Sequence, residues 1–402
     1  MRFRMRELMG LLLFSLIIFF TYKLQVVKLL LILVLILPSL GKKYYLSKKI
    51  SKWVGVLVGL ELFAILVAVI NGNPEPFVSF RVMVLWPILY LFLIRIISFE
   101  FWEKLDVFIS YALLLLIVIG FFSCVRFNLL GAFDSKFLNF ESIVRPDYPI
   151  ISIGGGGVVI FMILYFYVFP KWLLGLSKVP KIDMLNSILG VLFVLMTSRR
   201  ALILNIGLVF VIIALLFLFS SGKLKKEKMH FSKYLPFLVV IVVIGAGYLI
   251  QQSLLDLDFM HEFVKSAFET EEDGDRKMQA TALINGWLES PIWGNGVGVN
   301  ASVARSNIPG AYELTYLAML FAKGIIGFVG FWILVIRLVG WSFRIALSDT
   351  KYRTGLCVIV SLVMFLIANA SNPYLGSFDF LWVLFWPLLF VNMYEKEKRL
   401  SR

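Results

Sequence analysis

The sequence predicts an all-α, polytopic integral membrane protein of about twelve transmembrane helices with one large helical loop outside the membrane. Three observations carry that prediction. Of the 402 residues 60% are hydrophobic and only 16% charged, with a mean hydropathy of +0.90, whereas soluble domains carry about 25% charged residues. Apolar runs long enough to cross ~30 Å of hydrocarbon recur along the chain. Lysine and arginine gather in alternate connections between those runs, the signature of cytoplasmic loops.

Spans are expected at about 8–22, 24–40, 53–70, 77–97, 107–126, 149–168, 182–197, 200–219, 234–251, 312–336, 354–370 and 377–393. The first follows the basic opening Met1-Arg-Phe-Arg-Met-Arg. No small-residue cleavage site follows it, and Lys23 opens directly into a second apolar run, so it reads as a retained span rather than a signal peptide. The basic connections are "MRFRMRE", "KKYYLSKKISK", "PKWLLGLSKVPK", "KLKKEKMHFSK", the segment with Arg337, Arg344, Lys351 and Arg353, and the tail "EKEKRLSR". The intervening ones are "NGNPEPF", 127–148, the Ser198–Arg199–Arg200 turn, 252–311 and "NPYLGSFDF". Positive-inside sorting puts both termini in the cytoplasm; only in "RIISFEFWEKLD" do acids and bases nearly balance. The chain divides into nine spans over 1–251, the loop 252–311, and three spans over 312–402. The net charge of +14 is accounted for by the cytoplasmic loops and calls for no nucleic acid. Cys124 and Cys357 lie in apolar runs, so no disulfide framework is expected.

Arginines on the outward side are not explained by orientation. Arg81, Arg145, Arg199, Arg200, Arg276 and Arg305 all sit close to span ends, where charge near hydrocarbon is costly and usually functional. Any one of them could snorkel to lipid headgroups. As a group, planar guanidinium forks suit a phosphate or diphosphate, bound bidentately and without a metal. His230 and His261 are the only histidines and have no neighbouring ligand for zinc. Asp134, Glu141, Asp147 and Asp379 show no metal-type spacing, so no cofactor is expected.

The outer loop opens with "LLDLDFMHEFVKSAF", whose Leu254, Leu257, Phe259, Phe263 and Phe268 give a helix an apolar side. An acidic turn, "ETEEDGD", is followed by "RKMQATALINGWLES", a second helix by spacing. "PIWGNGVGVN" then supplies proline and three glycines. A dinucleotide fingerprint would need a strand before and a helix after; the alternatives are a tight loop offering its backbone to a ligand, or a structural turn. Glu313 stands at the entrance of the next span beside Tyr312, with Thr315 and Tyr316 following. Its carboxylate could take a proton from a sugar hydroxyl, pair with an arginine, or cap the incoming helix. Lys323 and "KGIIG" fit close helix packing. The run "IGGGGVV", Ile153 to Val159, suits close packing or a backbone open to a lipid groove.

In combination these features resemble the O-antigen ligase and O-antigen polymerase superfamily. "ALINGWLESPIWGNGVG" after Arg276 is similar to that family's arginine, loop helix and "PxxGxG" turn; Ser198–Arg199–Arg200 resembles its "SR" signature, and "ELTYLAMLFAKGIIG" its span after the loop. Topologically the likeness runs the length of the chain, with motifs from about 196 to 330. It implies a glycosyltransferase of the C type in the bacterial inner membrane, using an undecaprenyl-diphosphate-linked oligosaccharide as donor and a second glycan as acceptor. No metal or other cofactor is implied; membrane lipid and a chain-length regulator protein are the implied partners. The resemblance gives Arg199, Arg200 and Arg276, with Arg81, Arg145 and Arg305, the donor diphosphate, and Tyr312 and Tyr316 the glycan. Ligases of the superfamily carry a histidine just after the loop; here Glu313 stands in that region, which favours a polymerase and makes Glu313 the candidate base or orienting residue. The alternatives are a ligase acting on lipid A core or protein, and a flippase for lipid-linked glycans. Against the flippase stand the single long loop, the lack of evident repeats and the outward placement of charge.

Overall fold

The protein is described here by a computed structural model covering residues 5–41, 44–129, 141–143, 152–197, 200–219, 271–304, 309–310 and 312–401. The expected span at 234–251 and the first helix of the outer loop lie outside the described residues.

The described chain is almost wholly helical. In order come α1 (Met5–Phe19), α2 (Gln25–Leu40), α3 (Lys48–Ile70), a π-helical turn (Arg81–Leu85) running into α4 (Trp86–Ile96), and α5 (Phe99–Leu129). Two three-residue antiparallel strands follow, β1 (Glu141–Ile143) and β2 (Ser152–Gly154), in register Ser142 opposite Ile153. Then come α6 (Gly156–Leu173), α7 (Pro180–Met196), α8 (Arg200–Phe219), α9 (Glu271–Glu289), α10 (Thr315–Ser348), α11 (Thr354–Asn369) and α12 (Phe378–Leu400). From Glu271 on, the acidic run expected as a turn is instead the beginning of α9.

Five helices, Lys48–Ile70, Phe99–Phe122, Gly156–Leu173, Thr315–Ser348 and Thr350–Asn369, are long and apolar enough to cross a membrane; Gln25–Pro38 and Leu204–Leu215 are shorter apolar helices. Large apolar side chains also line the outside at helical spacing: Val26, Leu30 and Val34 on α2, Leu62, Leu66 and Val69 on α3, Tyr111, Leu115 and Val118 on α5, and Val329, Ile333 and Ile336 on α10. An apolar exterior of this extent needs an apolar solvent. The chain is therefore a membrane-embedded helical bundle.

At its centre is α6. All eighteen of its residues are buried, because α5, α7, α8, α11, α12 and α1 pack around it. The glycine run explains how it starts. Gly155 has φ 89° and caps the helix, and Gly156 and Gly157 are buried: close packing, of the two options its sequence left open.

Alternate connections collect at opposite ends of the bundle. At one end Lys104 bonds Glu7 (2.6 Å), Lys49 bonds Glu395 (2.6 Å), Lys178 bonds Glu103 (2.5 Å) and Lys351 bonds Glu397. Of the acids in "FEFWEKLD", Glu103 and Asp106 thus belong to this basic end, paired with Lys178 and Lys171. Beneath them Lys171 is fully buried between Asp106 (2.9 Å) and Asp183 (3.2 Å), with Tyr167 donating to Asp106 (2.5 Å) and Lys171 itself to Ser110 (2.9 Å). At the other end Lys28 and Asp379, neither exposed at all, pair at 2.5 Å. Asp379 also accepts from the Tyr22 N–H and the Gln25 amide, both at 2.7 Å. These bonds hold the α1–α2 turn, in which Tyr22 and Leu24 adopt positive φ.

Candidate functional site

The end opposite the basic one carries the connections 71–80, 290–314 and 370–377, and its framework is a break in α10. The sequence predicts a closely packed helix through "KGIIG". Instead Gly324 has φ +59° and ψ −170°, so Thr315–Ser348 is two helices joined at a kink. The backbone groups released there are taken by the glycine-rich loop. Ile325 N–H donates to Pro291 O (2.9 Å) rather than to Phe321 O, which instead accepts from Asn295 N–H (2.9 Å). Ala322 O accepts from Gly296 N–H (2.9 Å). The loop therefore saturates the break, the accounting any backbone in an apolar setting must satisfy. Of the two readings of "PIWGNGVG", the structural turn fits this geometry.

The loop is locked from its other side by "NGNPE". Asn73 Nδ2 donates to Asn295 O and Val297 O (both 2.9 Å), Asn71 Nδ2 donates to Asn295 O (3.2 Å), and Glu75 N–H donates to Gly298 O (3.3 Å). Gly298, at φ +73°, lies so close to Glu75 that a Cβ there would overlap the Glu75 carbonyl.

Upon this frame Arg276, from the second turn of α9, meets Glu313, two residues before α10: Nε donates to Oε2 at 2.9 Å. The pair is partly open, with side chains 36% and 23% exposed. Glu313 is fixed from both directions. Its own carbonyl accepts from Thr315 N–H (2.9 Å), and the preceding Tyr312 is buried with its phenolic oxygen accepting from Ala301 N–H (2.5 Å). Burial raises the Tyr312 pKa above its usual value, with the Ala301 N–H pulling the other way, so its hydroxyl stays protonated. One helical turn from Arg276, Gln279 is 1% exposed and its Oε1 meets no donor among the described residues. The sequence reading passed over Gln279; its only signal was a polar residue on the buried side of a helix.

Of the other residues singled out, Tyr316 turns inward, donating to Leu366 O (2.6 Å) and resting on Trp332. Arg81 begins the π-helical turn, its carbonyl accepting from Trp86 N–H, and is exposed, its side chain bonded to none of the described residues. Arg200 is the first residue of α8. That helix leans on α11 through Asn205, whose amide donates to Met364 O (3.1 Å), just as Tyr316 leans on Leu366. The start of α8 and the Arg276–Glu313 pair accordingly share one end of the bundle. Arg145, Arg199 and Arg305 lie outside the described residues. Asp379 is engaged by Lys28.

A second ion pair stands beneath the break: Lys323 donates to Glu61 of α3, which is 2% exposed and whose Oε1 finds no described partner. A cavity of about 480 Å³ lies elsewhere, between α1, α2, α4, α5 and α12, walled mostly by apolar side chains such as Phe14, Trp102 and Trp386; it holds none of the candidate residues.

Compared with protein families and with curated proteins, the chain finds no match.

Proposed function

We propose that this protein is an O-antigen or related surface-polysaccharide polymerase of the bacterial inner membrane. On this reading about twelve spans form a bundle of the C type, the end carrying 271–313 faces the periplasm, and repeat units linked to undecaprenyl diphosphate are joined there. The observation that carries the reading is the Arg276–Glu313 pair. A guanidinium held by the Glu313 carboxylate, at the end of the bundle that also holds Arg81 and the start of α8, suits a diphosphate leaving group whose charge grows as the glycosidic bond breaks. Glu313 bonded to Arg276 at 2.9 Å is better read as the residue that orients the arginine than as a base waiting for a hydroxyl. Arg199 and Arg200 would complete the grip on the diphosphate, with Arg145 and Arg305. Against the flippase alternative, the break in α10 has its backbone groups filled by the protein's own loop, whereas transporters leave such groups to substrate or ion.

Two variants test this. Arg276→Lys keeps charge but loses the planar fork, and should abolish long polymer. Glu313→Gln keeps shape, and a merely orienting carboxylate predicts a loss of about tenfold, below the roughly 100- to 10,000-fold of a removed acid–base group. The readout is the lipopolysaccharide ladder of a deletion strain carrying each variant at equal expression. One repeat unit on core in the deletion marks a polymerase; no repeat on core marks a ligase and overturns the proposal. Normal ladders from Arg276→Lys would remove the arginine from the mechanism.

A further inference from the structure

A pocket of about 280 Å³ opens on the same end of the bundle, between α9, the 71–75 turn and the 295–302 segment. Among the described residues its walls are unusual in chemistry: five asparagines (positions 71, 73, 285, 295 and 300) and one carboxylate, Glu289, with no lysine or arginine.

Packing alone does not account for these side chains. Asn71 and Asn73 spend their amide N–H groups on backbone carbonyls of the glycine loop, Asn295 spends its own on the carbonyls of Gly286 in α9 and Phe321 in α10, and Asn300 spends its oxygen on Gly310 N–H (2.9 Å). Those bonds freeze each amide in one orientation. The opposite ends, the Oδ1 atoms of 71, 73 and 295 and the Nδ2 of Asn300, bond to none of the described residues. The side chains of Asn285 and Glu289, one turn apart on α9, and of Ser302 likewise hold no hydrogen bond with described residues. The pocket thus offers three fixed acceptors and one fixed donor, while Phe321, only 5% exposed, and Ala282 form an apolar floor.

We propose that this pocket is a subsite for an uncharged sugar. A pyranose presents hydroxyls, each both donor and acceptor, around its rim and a C–H face beneath, and amide groups serve either role. A phosphate or a uronate would meet the Glu289 carboxylate with no cation among the described lining residues to offset it. The pocket lies nine residues along α9 from Arg276, about 13 Å by helical rise, within reach of one oligosaccharide whose diphosphate end sits at Arg276. That last placement rests on the polymerase reading; the pocket's preference for neutral sugars does not.

The test is binding to the purified full-length protein in lipid nanodiscs, followed by saturation-transfer NMR with maltotriose and chitotriose as neutral probes and trigalacturonate as the acidic one. At least one neutral trisaccharide should bind, and the acidic one should not. Asn285→Ala, on an exposed helical position, should weaken that binding about three- to tenfold, the worth of a lost neutral hydrogen bond. Glu289→Gln should keep it and admit trigalacturonate. No binding of either neutral probe, or binding indifferent to Asn285→Ala, overturns the subsite and leaves the polymerase reading to its own ladder assay. Neutral binding lost in Asn285→Ala, in a protein whose deletion leaves the ladder unchanged, would overturn the polymerase and keep the subsite.

Discussion

Replacing Lys28 by methionine isolates the contribution of one buried charge. Its ammonium has two partners, Asp379 Oδ1 at 2.5 Å and the Phe20 carbonyl at 2.8 Å, and neither Lys28 nor Asp379 is exposed. Lys28→Met preserves length and apolar volume but leaves a carboxylate buried with only the Tyr22 N–H and the Gln25 amide to face it. Breaking such a pair from one side costs about 3–5 kcal/mol. Adding Asp379→Asn removes the orphaned charge while keeping an oxygen for the Tyr22 N–H. The double variant then lacks mainly the bond to Phe20 and part of the Gln25 contact, about 1–2 kcal/mol, so the second change should restore about 2–3 kcal/mol. Tryptophan fluorescence during unfolding in detergent can follow this directly, because Trp382 donates from Nε1 to the Asp379 carbonyl at 2.8 Å. A double variant as unstable as Lys28→Met, or a Lys28→Met protein indistinguishable from the parent, would refute the reasoning.

Other expectations follow from the same geometry. Gly298→Ala combines a positive φ with overlap on the Glu75 carbonyl, and should cost about 2–5 kcal/mol, read as lost yield and a lower melting temperature; a normal melt would mean the two loops are not held this close. Glu395 is partly buried, which alone would raise its pKa, but hydrogen bonds from Lys49 and Ser47 and the Lys49 charge hold it below the usual 4.5. A depressed carboxyl contributes stability above its unfolded pKa and loses it as pH falls through the folded one. Melting temperature should therefore drop below about pH 4.5, and Glu395→Gln should flatten part of that drop; an unchanged acid slope would exclude Glu395 as its source. Fusions truncated after Gly274 should be active as a periplasmic phosphatase and dark as a cytoplasmic fluorescent protein; the opposite pattern would reverse the proposed orientation.

Helices and ends were legible in the sequence because they depend on runs and on local charge. The alternation of basic loops foretold which connections share an end, and the second loop helix was visible in the spacing of Met278, Ala282 and Leu283. What escaped depends on contacts across long stretches of chain. Lys28 finds Asp379 and Glu61 finds Lys323 only when helices far apart in sequence come together. The signal was present: charges inside apolar runs almost always face a partner, but nothing local says which. The break at Gly324 escaped for a related reason. "KGIIG" is good helix until another segment offers its carbonyls, and the offer comes from Pro291. Glu313 is the instructive case in the site: one of the options its sequence left open was an arginine partner, and the structure supplies that partner from α9.

The enclosure of α6 bears on how the chain is assembled. During synthesis this helix enters the bilayer before α7 to α12 exist, so the flanks that later meet α8, α11 and α12 face lipid first. Its one charge has an early partner, since Asp106 on α5 precedes Lys171, and Asp183 arrives twelve residues afterwards. The cover over the rest comes last: Ser361 donates to the Ile163 carbonyl (2.7 Å) from a helix made nearly two hundred residues later. A ribosome that stops before Thr354 would leave α1 to α10 in the membrane with the flanks of α6 that meet α11 and α12 uncovered, a natural substrate for quality-control proteases.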